Sequence, residues 1–114
     1  MFGTTMDAIA KRKQFRAKRC SSYDRSGRNA DWVLVKARST HVMADINGAG
    51  VISHLWFTIA GHGRDNDYLR KMVFRAYWDG ETQPSIETPV GDFFCVGHGA
   101  VVSFQNAAFN MSAN

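Results

Sequence analysis

Hydrophobic and polar residues alternate along much of the chain after Asp31. Trp32 to Val35 form a short β-type run, and residues 42–46 alternate apolar with polar side chains. The alternation is clearest over residues 51–60, where four of the five odd-numbered residues are apolar: Val51, Leu55, Phe57 and Ile59. A period of two places successive side chains on opposite faces of a strand. The pattern therefore predicts three short strands, with a turn at Asn47-Gly48 before the third.

The same alternation continues in the second half of the chain. Residues 69–78 predict the most regular strand, and Asp79-Gly80 ends it with a strong turn signal. Pro84 and Pro89 bracket a short segment that suits the edge of a sheet, because proline lacks the N–H that a central strand donates. A last apolar run covers residues 100–104, and no closing element is expected after it.

The spacing of these segments predicts the fold class and the domain boundaries. Residues 1–20 predict a short helix within a basic arm, with Thr4 or Thr5 as its N-cap, and residues 20–30 predict a polar loop. Short strands at regular spacing predict an all-β fold, a jelly-roll β-sandwich over residues 21–114. About six strands are recognisable where a jelly roll has about eight, so we expect a partial roll, truncated at its C-terminus.

Charge is concentrated at one end of an otherwise ordinary globular composition. The chain has 114 residues, of which 45% are hydrophobic and 21% charged, with a formal charge of +4. Of its 14 lysines and arginines, six lie between Lys11 and Arg19. Such a run can contact phosphate or anionic lipid, or it can be a solvated segment. Because no stretch resembles a secretory signal or a transmembrane helix, we expect a cytoplasmic protein.

Two dipeptides place a carboxylate beside an aromatic ring, a combination that is common in sugar sites. In Trp78-Asp79 the aspartate is better explained by the turn that it starts. Asp31-Trp32 is the stronger candidate, although Trp32 and Trp56 fit a hydrophobic core equally well. Asp92 is expected to cap a compact turn-like segment, Gly91–Phe94.

The histidines and cysteines show no metal-ligand spacing, so we expect neither a metal nor a cofactor. Cys20 and Cys95 lack a CxxC arrangement and are expected to be reduced thiols. Cys95 lies near His98 in sequence, which is a recognisable pairing for a nucleophile. A buried structural cysteine nevertheless explains Cys95 better.

Several motifs in a fixed order together resemble a known family. They are Ser21-Ser22-Tyr23-Asp24, Gly27-x-Asn29-Ala30-Asp31-Trp32, Ala44-Asp45-Ile46-x-Gly48-x-Gly50-Val51-Ile52-x-His54-Leu55-Trp56-Phe57-Thr58-Ile59, Tyr77-Trp78-Asp79-Gly80, Pro84-Ser85-x-Glu87-x-Pro89-x-Gly91-Asp92-Phe93-Phe94 and Gly97-His98-Gly99. Over residues 15–114 the chain resembles the N-terminal part of proteins from domain-of-unknown-function family 2961, also classified as glycoside hydrolase family 172. The order and spacing of the motifs make this resemblance more specific than any single motif.

The resemblance implies a jelly roll that assembles into trimers or hexamers, with sugar sites near the subunit contacts. It implies retaining hydrolysis or transglycosylation of α-linked fructofuranosides, including difructose dianhydride chemistry. The catalytic glutamates of such proteins are expected beyond this chain, so Glu81 and Glu87 receive no catalytic role. The residues expected to contact the sugar lie in the matching motifs and are Asn29, Asp31, Trp32, His54 and Trp56.

The resemblance makes a fructoside the expected ligand and copies of the same chain the expected protein partners, with no nucleic acid and no membrane. Two other interpretations stay open. One is a non-catalytic jelly-roll module, for capsid-like assembly or for carbohydrate binding. The other is a nucleic-acid binder that uses residues 11–28, whose affinity would fall steeply with salt.

Overall fold

The chain forms two compact units, Met1–Ile52 and Ser53–Asn114. A computed structural model describes residues 10–60 and 67–112. The helix predicted near the N-terminus falls mostly on residues 1–9, outside the described residues, and residues 11–20 contain neither helix nor strand. The division into a basic arm and a jelly-roll domain at residue 21 stays a prediction.

From residue 11 to residue 52, the described part of the first unit contains turns and bends but no helix or strand. The polar loop predicted at residues 20–30 is confirmed, and the N–H of Gly27 closes a turn there by donating to the carbonyl oxygen of Asp24 at 3.0 Å. The strands predicted at residues 32–35 and 42–46 are wrong for this structure. Neither segment has a hydrogen-bonded partner strand among the described residues, and strands exist only in paired ladders.

From residue 11 onward, all the helices and strands that the structure describes lie in the second unit. In chain order they are α1 (Tyr68–Lys71), β1 (Val73–Ala76), β2 (Ile86–Pro89), α2 (Val90–Phe93), β3 (Phe104–Gln105) and β4 (Asn110–Met111). β1 pairs antiparallel with β2, and β3 pairs antiparallel with β4, so the unit contains two small sheets. The strand predicted over residues 51–60 is absent for the same reason as those in the first unit.

The β1–β2 hairpin is the part of the fold that the sequence predicts best. Phe74 lies opposite Thr88 in the ladder, and the N–H of Glu81 donates to the carbonyl oxygen of Trp78 across the turn at 2.9 Å. Asp79 and Gly80 both have positive φ, 49° and 77°, as the two central residues of a type I′ turn require, and this turn lies within the connection between the strands. The predicted turn is therefore confirmed.

The strand that leads into this hairpin is shorter than predicted, because its first residues form α1. The N–H groups of Arg70 and Lys71 both donate to the carbonyl oxygen of Asp67 at 2.9 Å, and the helix ends at Met72, which is extended. A single turn of helix has no room for an apolar period, so alternation over these residues suggested a strand. Leu69 is the buried residue of α1.

The segment Gly91–Phe94, predicted to be turn-like, belongs to the one-turn helix α2 and the residue that caps it. Two bonds form a Schellman motif after the helix: the N–H of Cys95 donates to Asp92 at 3.0 Å, and that of Val96 donates to Gly91 at 2.7 Å. Cys95 occupies the left-handed position of this motif, with φ 66°. The prediction of a buried cysteine is wrong, because the motif leaves Cys95 exposed and buries Val96 instead.

A hairpin closes the described chain, where the sequence predicted no closing element. The side-chain oxygen of Asn106 accepts hydrogen bonds from the N–H groups of Ala108 at 2.9 Å and Phe109 at 2.7 Å. The N–H of Asn106 donates to the carbonyl oxygen of Phe109 at 2.9 Å. Asn106 thus supplies the turn chemistry that glycine or proline usually supplies, and it joins β3 to β4.

The core of the second unit is small and aromatic. Its buried side chains, among the described residues, are Leu69, Phe74, Val90 and Val96. Five phenylalanine rings, one of them the buried Phe74, pack against one another at centroid distances of 4.6 to 6.3 Å, mostly edge to face: Phe57, Phe74, Phe93, Phe94 and Phe109. Each such ring pair contributes about 0.5–1.5 kcal/mol beyond the area that it buries. The rings come from residue 57, β1, α2 and its C-cap, and the β3–β4 turn, so this cluster joins these parts of the unit.

Candidate functional site

One carboxylate organises the loop from residue 24 to residue 30. Asp24 accepts hydrogen bonds from the backbone N–H and the hydroxyl of Ser26, at 2.8 and 2.7 Å, and from the N–H groups of Arg28 at 3.1 Å and Ala30 at 3.3 Å. The bonds from Ser26, first its hydroxyl and then its N–H, hold the pKa of Asp24 below its ordinary value. The carboxylate is therefore charged at neutral pH, and it fixes the loop in one conformation.

Asp31 closes this loop and stands beside an exposed tryptophan. Its Oδ1 accepts the N–H of Asp24 at 2.6 Å, and the hydroxyl of Ser22 donates to its carbonyl oxygen at 2.8 Å. Its other carboxylate oxygen, Oδ2, makes no hydrogen bond among the residues that the structure describes. Trp32 follows directly, with 68% of the residue exposed. The structure therefore does not place Trp32 in the hydrophobic core.

Asn29 lies in the same loop, immediately before this pair. Its φ of 61° is the left-handed region, which asparagine tolerates better than most residues. Asn29 is exposed, and its side-chain amide makes no hydrogen bond within the described part of the chain. The first unit thus presents an amide, a carboxylate oxygen and an indole ring from a loop of fixed geometry.

His54 and Trp56 belong to the second unit, in the segment before the phenylalanine cluster. Both are exposed, Trp56 by 68%, whereas Phe57 and Ile59 are half-buried. The alternation predicted for this segment therefore appears in the burial of its last residues, although no strand forms. The structure groups the five predicted sugar-contacting residues as three in the first unit and two in the second.

The ion pair between Arg70 and Asp92 could not be predicted from the sequence. Arg70, in α1, forms an ion pair with Asp92, in α2, and also donates to the carbonyl oxygen of Gly97 at 3.1 Å. Asp92 was predicted to cap its own turn, and this is wrong: its side chain pairs with Arg70 while its backbone carbonyl serves the Schellman motif. The two partners lie 22 residues apart, so only the folded chain shows the pairing.

Cys95 and His98 do not form a catalytic pair within the described residues. Both are exposed, and no hydrogen bond joins their side chains. Cys20 is likewise an exposed free thiol. In the part of the chain that the structure describes, no three histidine, cysteine or acidic side chains are grouped so that they could hold a metal ion.

The two glutamates are both engaged in local contacts of the β1–β2 hairpin. Glu87, in β2, accepts a hydrogen bond from Arg75 Nε, in β1, at 2.6 Å across the ladder. Glu81 accepts a hydrogen bond from the hydroxyl of Ser85. Both contacts lie within the hairpin and its connection. Across residues 10–60 and 67–112, no helix has the length and apolarity needed to cross a membrane.

Comparison with known protein families gives a match that covers most of the chain. The sequence model described as GH172 first beta-sandwich domain matches residues 13–113, which is most of the chain. The comparisons with curated proteins and with solved structures find no match. The match agrees with the family that the sequence motifs resemble. It also agrees with the described secondary structure from residue 11 onward, which consists of two antiparallel two-stranded sheets and two one-turn helices. The chain belongs to glycoside hydrolase family 172, as a first β-sandwich domain.

Proposed function

We propose that this domain supplies one wall of a saccharide site in a retaining glycosidase that acts on α-linked fructofuranosides, by hydrolysis or transglycosylation. The observation that carries the proposal is the exposed ring of Trp32 beside a carboxylate held in place by its own loop. Trp32 offers a flat apolar face on which a furanose ring stacks. Asp31 Oδ2 and the amide of Asn29 accept and donate hydrogen bonds to sugar hydroxyls.

The pair of acids that performs the chemistry is proposed to lie outside this chain. Retention requires two carboxyl groups about 5–5.5 Å apart, one as nucleophile and one as acid and base. The chain has two glutamates, Glu81 and Glu87, and both are held in hairpin contacts. Glu87 is paired with Arg75 across the ladder, which is a structural contact of the hairpin. This domain therefore binds and orients the saccharide, and it does not transfer the proton.

His54 and Trp56 are proposed as further saccharide contacts in the second unit. Both residues are exposed, whereas Phe57 and Ile59, further along the segment, are half-buried. An imidazole hydrogen-bonds hydroxyl groups, and an indole ring stacks on a sugar face. The complete protein is proposed to be a cytoplasmic homo-oligomer, a trimer or hexamer. The apolar side chains that the first unit leaves exposed support assembly, since they include Leu34, Val42 and Val51.

The proposal is tested by measuring the binding of a difructose dianhydride to the chain by NMR titration. Trp32→Ala should weaken binding roughly three- to tenfold, the loss expected for one stacked ring. Trp78→Ala is the matched control, because Trp78 is also an exposed tryptophan and lies at the hairpin turn. Equal loss in both variants would contradict the proposed wall.

Two further outcomes separate the proposal from its alternatives. Rapid turnover of an aryl α-fructofuranoside by this chain alone would show that the acid pair is present within it. Binding of glucosides or galactosides as tightly as fructosides would favour a general carbohydrate-binding module instead. Fructoside binding without turnover is the result expected here.

A further inference from the structure

The most strongly charged surface of the chain lies outside the proposed saccharide site. Six of the nine residues from 11 to 19 are cationic, and no acidic residue occurs between Asp7 and Asp24. We call this stretch the basic segment; its cations are Lys11, Arg12, Lys13, Arg16, Lys18 and Arg19. From Ser21 onward, acidic and basic residues nearly balance, so the chain's positive charge resides here.

The structure leaves this charge uncompensated. Every residue of the basic segment is exposed, and none of its six cations forms an ion pair with a residue that the structure describes. The second unit behaves differently, because Arg70, Lys71 and Arg75 are each paired with a carboxylate. The cations of the basic segment therefore keep their full attraction for an external anion, reduced only by salt.

An aromatic ring stands in the middle of these cations. Phe15 is 71% exposed, although a phenylalanine in water gains from any apolar contact. Residues 11–20 have no helix or strand, so the segment can lie flat along a surface without breaking backbone hydrogen bonds. Clustered lysines and arginines with an exposed ring are the combination that holds a segment at the headgroup layer of an anionic bilayer.

We propose that the basic segment binds the surface of membranes that contain anionic phospholipid. Its six cations sit over the headgroup phosphates and carboxylates, and Phe15 enters the boundary between headgroups and acyl chains. This goes beyond the proposed function, and it differs from the sequence-based expectation of no membrane partner, because these exposed cations form no ion pair with the described residues. The attachment is peripheral, and it leaves the rest of the chain in water.

Nucleic acid is the competing polyanion, and two features favour lipid over it. Proteins that bind single strands stack successive bases on several aromatic rings, and the basic segment offers one. Readers of duplex DNA place a rigid helix or ribbon in a groove, and residues 11–20 form neither. A lipid surface makes no such demand on geometry.

The test is co-sedimentation of the chain with vesicles of phosphatidylcholine, with and without about 30% phosphatidylserine. Binding should require the anionic lipid and should fall at least about tenfold when salt rises from roughly 0.05 to 0.5 M. This measurement uses the unaltered chain, so it does not depend on any variant folding. Equal binding to both kinds of vesicle, or to neither, would overturn the proposal.

Two variants that each lose four positive charges locate the surface. K11Q/K13Q/R16Q/R19Q should weaken vesicle binding about tenfold or more, whereas R25Q/R28Q/K36Q/R38Q, with the same net charge, should change it less than about twofold. Phe15→Ser should weaken binding without changing its dependence on salt. Equal effects of the two quadruple variants would mean that net charge alone is responsible. Tighter binding of the unaltered chain to an oligonucleotide than to the anionic vesicles would also contradict the proposal.

Discussion

Gly91 shows how one missing methyl group decides the packing of α2 on α1. A Cβ at this position would lie 2.8 Å from the carbonyl oxygen of Leu69 and 3.1 Å from that of Val96. Both neighbours are backbone atoms near the buried core, so the helices must separate to admit a larger residue. We expect Gly91→Ala to cost about 1–2 kcal/mol of unfolding free energy, since overpacking outweighs the helix propensity that alanine gains.

Urea unfolding followed by circular dichroism measures this loss. Gly97→Ala is the matched control in the same unit, because its Cβ would have only an ordinary contact, 3.8 Å from Asp92 Oδ1. The control should unfold near the midpoint of the unaltered chain. Equal midpoints for both variants would show that α1 and α2 are not tightly packed in solution.

Asp24 makes the loop beside Trp32 sensitive to acid. Its pKa is held below the ordinary value, chiefly by the hydroxyl and N–H of Ser26. A carboxylate with a lowered folded-state pKa stabilises the folded loop fully above about pH 3.9, and this support is lost as the pH falls through the folded-state value. We therefore expect the amide protons of Arg28 and Ala30 to keep the NMR chemical shifts of hydrogen-bonded amides down to about pH 4 and to lose them only below it.

Substitution at neutral pH separates this effect from general acid unfolding. Asp24→Asn keeps the shape of the side chain and removes the charge that shortens and strengthens these bonds. The amides of Ser26, Arg28 and Ala30 should then exchange faster, and fructoside binding should weaken because the loop no longer holds Asp31. Asp45→Asn serves as control, since Asp45 is exposed and remote in sequence from the loop. Unchanged exchange in Asp24→Asn would contradict the role given to this carboxylate.

At the scale of elements, what the sequence predicts correctly is what local chemistry decides. The Asp79-Gly80 turn follows from two residues that tolerate positive φ. β2 forms in the segment predicted between Pro84 and Pro89, and in its two-stranded sheet both strands are edges. The hairpin between β3 and β4 was missed, because its turn depends on one side chain, Asn106, rather than on glycine. The one-turn helices were missed because four residues are too few to show a period.

The strands predicted at residues 32–35, 42–46 and 51–60 fail for a different reason. Alternation reports which side of a segment is apolar, and the half-buried Phe57 and Ile59 agree with it. Whether a strand forms depends on a partner elsewhere in the chain or in another copy, which no local pattern specifies. Prediction of the site has the same limit. The adjacent Asp31 and Trp32 can be recognised in the sequence, whereas the loop that holds Asp31 depends on Asp24, seven residues away.

At the scale of the whole molecule, order is unevenly divided between the units. All four buried apolar side chains that the structure describes belong to the second unit, and the described residues of the first unit include none. Backbone amides are protected from exchange only when they are hydrogen-bonded and when these hydrogen bonds seldom open. In hydrogen–deuterium exchange at low protein concentration, we expect protection at β1 and β2 and rapid exchange over residues 32–52.

The proposed assembly makes this exchange pattern depend on concentration. If copies of the chain cover the apolar side chains of residues 32–52, protection there should grow as sedimentation shows trimers or hexamers replacing monomers, by mass action. Protection at β1 and β2 should stay constant, which provides the internal control. A chain that is protected over residues 32–52 while it sediments as a monomer would show that the first unit pairs its own strands. Rapid exchange there in an oligomer would place the subunit contacts elsewhere, away from Trp32.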